Sequence, residues 1–428
     1  MDNLVTKKNW FLFYIFSSIC CLLIGFFDVN IQILIFFINT LICVFIFSQR
    51  GILHPLSWFP VFYFLYGSAF LIYEILDNNN LIYMNEIVPL VFMGFIGFLT
   101  PLIFFTKENK IPFVPKEYSK VIPYTWGIFL VLCVVLIIFV LGSGITSKRE
   151  FIDDLGGIGF LFIVFSMLPL IYCVKILEDK KIELKNYMFI TTLIILFIGF
   201  GVTGERDYIF RFFLFLFIMH YTLNKYNPLV FLGLIFILLF FMPLTQQMKG
   251  YLISESVVGY EYNFEIKNLF FNDFYAAGRN LYYVLEKQVP LMYGETFIWD
   301  VKRFFNFIFT DQKSTGAWFN DTFRVQYRDI GTSGWGFSLV AEAYINFGKL
   351  GIFLLYLIIG VVSGIFYNLS RKNLFLFLFY LLYIVVVIYV TRADFANYLS
   401  LIFKINVIII LTIFIVLKTL SILRKGNK

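Results

Sequence analysis

The sequence predicts an all-α integral membrane protein that crosses the bilayer about twelve times. Of its 428 residues, 60% are hydrophobic and 21% are aromatic, including 58 phenylalanines. The mean hydropathy is +0.85. A soluble protein with so apolar a surface would precipitate, whereas a polytopic membrane protein presents such side chains to lipid. Apolar runs recur along the whole chain, so we expect one membrane domain over residues 1–428.

The first apolar run, Trp10 to Phe27, follows Lys7 and Lys8. It lacks a small-residue cleavage site and is followed by another apolar run, so we interpret it as a retained helix rather than a signal peptide. A crossing needs about 20 apolar residues. The candidate runs lie near residues 10–27, 29–47, 56–76, 87–106, 122–142, 157–177, 187–204, 208–223, 228–245, 338–368, 373–391 and 396–420.

The orientation follows from the loops, because short cytoplasmic loops are enriched in Lys and Arg. When twelve spans alternate, the basic segments "TKENKIPFVPKEYSK", "EDKKIELK" and "LRKGNK" fall on one side together with Lys7, Lys8 and Arg50. That side is the predicted cytoplasm, and both termini lie in it. The unusual polar features then lie on the outer face.

The outer side receives one long loop, residues 246–337. It contains "NLFFNDFYAAGRNLYYVLEK" and "ETFIWDVKRFFNFIF", in which aromatic and charged residues recur at helical spacing. We expect amphipathic helices that lie on the outer leaflet or cap the helix bundle.

Several function classes are excluded or disfavoured. The net charge is +7, but the cations are scattered among loop ends, so no nucleic-acid partner is expected. The five cysteines fall inside apolar runs without metal-ligand spacing. The motifs GxxxxGK[ST], HExxH and GxSxG do not occur. The two histidines, His54 and His220, both fall at cytoplasmic ends of spans, so a histidine base on the outer face is excluded under this topology.

Seven of the arginines on the outer side, where the positive-inside rule predicts few, are candidates for binding a ligand. They are Arg149, Arg206, Arg211, Arg279, Arg324, Arg328 and Arg392. Arginine matches phosphate oxygens with two parallel hydrogen bonds and keeps its charge in a low-dielectric site. A polyanionic ligand held at headgroup depth, such as the head of a lipid, would account for them.

Arg206 lies in the stretch "GVTGERDYIFRF", between two runs that together leave room only for a turn. Its charges are therefore held at the level of the outer headgroups, where intramembrane charge is functional by default. The alternative is structural: Asp207 and Arg211 pair with each other at i,i+4 spacing, and Arg206 reaches lipid phosphate.

The carboxylates offer a general base. Glu342, in "SLVAEAYINFGKLG", lies about one turn into the tenth span. Proton transfer from a hydroxyl and a salt bridge to an arginine are equally compatible with this position. Asp207 is the second candidate. Asp153 and Asp154 could hold a divalent metal but are more typical of a helix N-cap, so no metal is expected.

Several segments together resemble the bacterial oligosaccharide repeat-unit polymerases, the Wzy-type O-antigen polymerases. They are "TGERDYIFR", "AAGRN", "GWGFSLVAEAYINFGKLGIFLLYLIIG" and "TRADF", with the span count and the position of the long loop. By position, Arg206, Arg279 and Arg392 match the outer-face arginines of the family, and Glu342 matches the acid of its "E-Y-NFG" segment. The match is weaker for Arg149, Asp153 and Asp154.

This resemblance implies a membrane glycosyltransferase of O-antigen or lipopolysaccharide biosynthesis in the bacterial inner membrane. Its active site would face the periplasm or cell exterior, and undecaprenyl-diphosphate-linked glycans would be donor and acceptor. A chain-length regulator protein would be a further partner, and no cofactor would be needed. The hypothesis is metal-independent transfer, with Glu342, Arg206 and Asp207 catalytic and the other arginines binding substrate.

Three alternatives stay open at this point. A lipid-linked oligosaccharide flippase or permease needs polar residues through the depth of a cavity, whereas here they gather at one face. An O-antigen ligase is disfavoured by the absence of an outer-face histidine. A scaffold would use its arginines only to anchor to anionic headgroups.

Overall fold

The computed structural model describes residues 2–106, 112–143, 162–203, 207–237, 239, 265–271, 273–305, 308–309, 313–323 and 336–426. All the regular secondary structure in these ranges is helical, and they contain no strand. Seven of the described helices are long and apolar enough to cross a membrane. The expectation of an all-α polytopic membrane protein is therefore confirmed.

The helices are labelled in chain order. They are α1 Asp2–Leu23, α2 Val29–Phe47, α3 Pro55–Leu76, α4 Met84–Phe105, α5 Lys116–Ser119, α6 Ile122–Ser143, α7 Val164–Asp179, α8 Tyr187–Thr203, α9 Asp207–Leu223, α10 Pro228–Ile237, α11 Asp273–Glu286, α12 Glu295–Phe304, α13 Thr315–Phe323, α14 Leu339–Leu369, α15 Leu374–Val390, α16 Phe395–Ser400 and α17 Val407–Gly426. A π-helix, Leu401–Asn406, joins α16 to α17.

A described helix lies at each of the twelve positions expected from the sequence. The seven of spanning length correspond to the first five expected spans and to the tenth and twelfth. Helices α8, α10 and α15 are apolar but shorter. The count of twelve and the sidedness of the loops stay predictions.

Among the described helices, α4 and α14 have the most extensive contact with each other, and they run in the same direction. Gly97 of α4 lies so near the backbone of Phe353 in α14 that a Cβ would overlap its carbonyl oxygen. Further along both helices, Asn368 Nδ2 donates to the carbonyl oxygen of Phe105 at 2.9 Å. Small residues allow such close helix approach in membranes. Parallel packing is what alternating crossings predict for the fourth and tenth spans.

Helix α11, from the long outer loop, packs against α3 and does not lie free on a surface. The rings of Phe70 and Tyr275 are 5.2 Å apart and those of Tyr66 and Phe274 are 4.6 Å apart. Most of the helix is buried. Of the two placements expected from the sequence, α11 thus adopts the second and caps the bundle.

His54 is buried where α3 begins. Its Nδ1 accepts a hydrogen bond from the N–H of Leu56 at 3.2 Å, and its Nε2 lies 3.0 Å from Thr106 Oγ1. Since Nδ1 is the acceptor, the proton of the neutral ring resides on Nε2 and is donated to Thr106. Burial, with a smaller contribution from Arg50, lowers the pKa of His54 to about 3. His54 is therefore a neutral capping residue.

Candidate functional site

Five of the nine predicted site residues are described, and they come from separate elements. Glu342 lies in α14, Asp207 and Arg211 in α9, Arg279 in α11, and Arg392 in the turn after α15. The others, Arg149, Arg206, Arg324 and Arg328, lie outside the described residues, as do Asp153 and Asp154. The described part of the candidate site therefore consists of these five residues.

Glu342 lies in a short first segment of α14. The helix is interrupted at Phe347 and Gly348, and Gly348 has a φ of +61°. Past the break the chain folds back: Gly351 is so close to the carbonyl oxygen of Ala343 that a Cβ would overlap it. In an uninterrupted helix residues eight apart are separated by about 12 Å along the axis. Residues 339–346 are therefore a separate helix packed on the start of the long one.

The break in α14 is stabilised by the segment that precedes α12. The N–H groups of Met292 and Tyr293 donate to the carbonyl oxygens of Ile345 and Asn346 at 2.7 and 3.1 Å. The N–H of Gly294 donates to Asn346 Oδ1 at 2.9 Å. These contacts satisfy carbonyls that the interrupted helix leaves without internal partners. They also fix the start of α12 beside Glu342.

Glu342 is fully buried, and both of its carboxyl oxygens are engaged. Oε2 accepts a hydrogen bond from the N–H of Phe395 at 2.8 Å. Oε1 lies 3.4 Å from the hydroxyls of both Thr296 and Thr315. Its hydrogen bonds thus connect α12, α13 and α16. The salt bridge to an arginine, one of the two sequence-based alternatives, does not occur among the described residues.

Asp300 of α12 is a second buried acid, and the sequence analysis missed it. Its Oδ1 accepts hydrogen bonds from the N–H of Thr315 at 2.7 Å and from the Thr315 hydroxyl at 3.0 Å. Its Oδ2 accepts one from the N–H of Ala396 at 2.8 Å. The available signal was the polar pair Thr296 and Asp300 at i,i+4 spacing, which marks one face of the helix.

Asp394 is the third acid of this cluster and is 3% exposed. Its Oδ1 caps α16 by accepting from the N–H of Asn397 at 3.0 Å and from Asn397 Nδ2 at 2.7 Å. Its Oδ2 accepts from the N–H of Gly316 at 3.1 Å. The sequence placed Asp394 at the tip of a hairpin, but its contact with the long outer loop could not be read from the chain.

Asp300 and Glu342 face the same hydroxyl: Thr315 Oγ1 lies 3.0 Å from Asp300 Oδ1 and 3.4 Å from Glu342 Oε1. Both acids are fully buried, and two buried carboxyl groups this close oppose each other when both are ionised. Burial, followed by the negative charge of Asp394, raises the pKa of Asp300 to about 6. Asp300 therefore holds its proton in mildly acidic solution.

Arg392 lies two residues before Asp394 in the sequence. Its guanidinium carbon lies 5.0 Å from the ring centre of Tyr389, and its carbonyl oxygen accepts from the N–H of Phe337 at 3.0 Å. Gly336 has a φ of +63°, and a Cβ there would overlap the same carbonyl oxygen. The turn that carries Arg392 is therefore held against the segment that leads into α14.

Arg279 is held beside tyrosines on α11. Its Nε and Nη2 donate to the hydroxyl of Tyr283 at 3.1 and 2.6 Å, and its guanidinium carbon is 5.8 Å from the ring centre of Tyr275. The next residue, Asn280, donates from Nδ2 to the carbonyl oxygen of Gly336 at 3.4 Å. Gly336 thus links the helix of Arg279 to the turn of Arg392.

Asp207 and Arg211 pair with each other on α9. Arg211 Nη2 and Nε lie 2.5 and 3.1 Å from Asp207 Oδ2, and Arg211 Nη1 is 3.4 Å from Ser166 Oγ. The pairing expected in the structural alternative is therefore present.

The described arginines and the buried acids are suited to different chemistry. Arg279 and Arg392 lie beside tyrosine rings on two separate elements, which suits them to an anion with an apolar or sugar-bearing body. The buried acids instead bind protein donors. Within the described ranges, no group of three or more His, Cys, Asp or Glu side chains is arranged to hold a metal ion.

Comparisons with protein-family models, curated proteins and solved structures find no match for this chain.

Proposed function

We propose that this chain is a membrane glycosyltransferase that polymerises lipid-diphosphate-linked oligosaccharide repeat units on the outer face of a bacterial cytoplasmic membrane. The observation that carries the proposal is the linkage of α11 and the Arg392 turn. Gly336 accepts a hydrogen bond from Asn280, next to Arg279, and lies against the carbonyl oxygen of Arg392. Arginines that are far apart in the sequence thus belong to connected elements.

The arginines suit a diphosphate leaving group. In the proposed reaction the bond between the anomeric carbon of the donor sugar and the diphosphate oxygen breaks. The diphosphate leaves with the electron pair, while a hydroxyl of the acceptor sugar forms the new bond. Guanidinium groups near the diphosphate stabilise the developing charge, an effect of about 3 kcal/mol for one well-placed donor. No nucleotide is needed, because the lipid diphosphate sugar is already activated.

The acceptor hydroxyl must lose its proton, and the two sequence candidates differ in access. Glu342 is fully buried and engaged by protein donors. The side chain of Asp207 is 43% exposed. This difference supports Asp207 as the group that receives the proton, with Arg211 orienting its carboxylate. Glu342 is better suited to a positioning role.

The test is extension of a lipid-linked glycan by the purified chain. The full-length protein in lipid vesicles is supplied with undecaprenyl-diphosphate-linked repeat units, and product length is measured by mass spectrometry. A ladder of lengthened lipid-linked products is expected. Unchanged length with altered sidedness would indicate a flippase, and transfer to lipid A core would indicate a ligase. Either result overturns the proposal, as does the absence of any product.

A further inference from the structure

The three buried acids share an uncommon feature: each accepts a backbone N–H from a different segment. Asp300 of α12 accepts from Ala396, and Glu342 of α14 accepts from Phe395, both at 2.8 Å. The two donors are consecutive residues, two and three positions after Ala393. The path of the chain directly after Arg392 is thus defined by two carboxyl groups.

The Arg392 turn also supplies an acid that accepts a hydrogen bond from the long outer loop. Asp394, from the Arg392 turn, accepts from the N–H of Gly316, while Asp300 accepts from the adjacent N–H of Thr315. Two acids therefore bind the start of α13, and three bind the start of α16, where Asp394 also accepts from the N–H of Asn397. Within the described part of the chain, the hydrogen bonds that these carboxyl groups accept come from backbone N–H groups, hydroxyls and a side-chain amide.

We propose that Asp300 and Glu342 form a proton-sharing latch that positions the Arg392 turn against the long outer loop. The inference rests on the proposed function for the role of Arg392, but the latch itself concerns only geometry. With one proton shared, the pair carries a single negative charge and holds α12, α14 and α16 together. When both groups ionise, two buried charges oppose each other and the negative charge of Asp394, so the latch loosens.

Other charged groups on the surrounding elements are few. They are Glu295, Lys302 and Arg303 on α12, Lys313 and Asp321 at α13, Lys349 on α14, Arg392 before α16 and Lys404 in the π-helix. None of them donates a hydrogen bond to Asp300 or Glu342. The shared proton is therefore the charge compensation that the described contacts provide.

The sign of the pH effect follows from proton uptake. Because the folded state holds the proton of Asp300 more tightly than the unfolded state, the contribution to stability is fully present below the unfolded pKa near 4. It is lost as pH rises through about 6. In the wild type, this contribution to Tm should fall between pH 4.5 and pH 7.5.

The first experiment measures Tm against pH for the full chain in detergent. Asp300→Asn removes one of the two titrating carboxyl groups of the pair, so Tm(wild type) minus Tm(Asp300→Asn) should decrease as pH rises. Asp321→Asn is the matched control, since Asp321 pairs with Lys313 at the surface of α13. Its difference from the wild type should stay constant. Parallel curves for the wild type and Asp300→Asn would overturn the shared proton.

The second experiment measures hydrogen exchange of a peptide covering residues 391–400. Asp300→Ala removes the acceptor of Ala396 N–H, so exchange at Ala396 should be about tenfold faster at pH 6. Glu342→Gln keeps an oxygen for Phe395 N–H and cannot ionise. It should therefore stay protected and lose the pH dependence. Unchanged exchange in Asp300→Ala would refute the positioning role.

The two proposals fail separately. Exchange and Tm report the latch whether or not the chain transfers sugars. If the latch behaves as expected and no glycan is extended, only the proposed function falls. If glycans are extended and exchange at residues 391–400 ignores Asp300, only the latch falls.

Discussion

The carbonyl oxygen of Arg392 accepts a hydrogen bond from the N–H of Phe337 at 3.0 Å. This one contact joins the turn after α15 to the end of the long outer loop, directly before Glu342 and its short helix. It places a candidate ligand-binding arginine next to a segment that is fixed by buried acids. Several expectations follow from how the Arg392 turn is held.

Gly336 is required beside Arg392 by both its backbone and its surroundings. Gly336→Ala puts a Cβ against the Arg392 carbonyl oxygen at a φ of +63°. We expect a loss of about 1–3 kcal/mol of stability, since a non-glycine residue is strained there. Gly127→Ala is the control because a Cβ at Gly127 meets open space in α6. Equal Tm values for the two variants would contradict the close approach.

The close packing of α4 and α14 can be tested by a similar glycine substitution. Gly97→Ala forces a Cβ into the carbonyl oxygen of Phe353, so the two helices must move apart. We expect Gly97→Ala to lower the Tm clearly relative to Gly127→Ala, because overpacking of a tight contact costs about 1–3 kcal/mol. Thermal unfolding in one detergent checks this, and a Gly97→Ala Tm at or above that of the control would argue against the contact.

Variants of the Asp207–Arg211 pair distinguish a role in charge neutralisation from a role in catalysis. Asp207→Asn should abolish glycan extension, because an amide cannot receive the proton of the acceptor hydroxyl. The double variant Asp207→Asn with Arg211→Gln should recover stability lost by leaving Arg211 unpaired, yet recover no activity. Tm and product length are measured on the same preparations. Restored extension in the double variant would mean that the pair serves only to balance charge.

His54 provides a pH effect of opposite sign to that of Asp300. Its folded pKa is lowered to about 3, so its contribution to stability is present above pH 6.5 and is lost as pH falls. His54→Asn keeps a capping acceptor for Leu56 N–H and cannot be protonated. Between pH 7.5 and pH 5 the Tm of the wild type should fall relative to that of His54→Asn. A constant difference would show that His54 is not buried as a neutral ring.

Helix positions could be predicted from the sequence because long apolar runs leave few alternatives in a membrane. The position of Glu342 near the start of α14 was also predictable. The break at Phe347 and Gly348 was not, because α14 is apolar on both sides of it. Gly348 was the available signal, and only the contacts of Met292 and Tyr293 show that the freed carbonyls are satisfied.

Asp300 was missed for a physical reason. On an amphipathic helix the polar face usually contacts water, so the helical pattern alone gives no reason to expect Asp300 to be buried. In the structure α12 is turned the other way: Thr296 and Asp300 are fully buried, while Ile298 is 56% exposed. An apolar face toward lipid and a polar face toward protein donors is the arrangement that a membrane favours. The partners of Asp300 come from residues 315 and 396, which no local pattern connects.

The most direct measurement of the central claim is glycan extension by Arg392→Lys under saturating lipid-linked substrate. Lysine keeps the charge and the length of the side chain but loses the paired donors that fit a diphosphate. Arg50→Lys is the matched control, since Arg50 also lies over an aromatic ring, 4.3 Å from the centre of Trp10, but on the predicted cytoplasmic side. We predict a kcat about 100-fold lower for Arg392→Lys and a kcat unchanged for Arg50→Lys. Wild-type extension by Arg392→Lys would contradict the account.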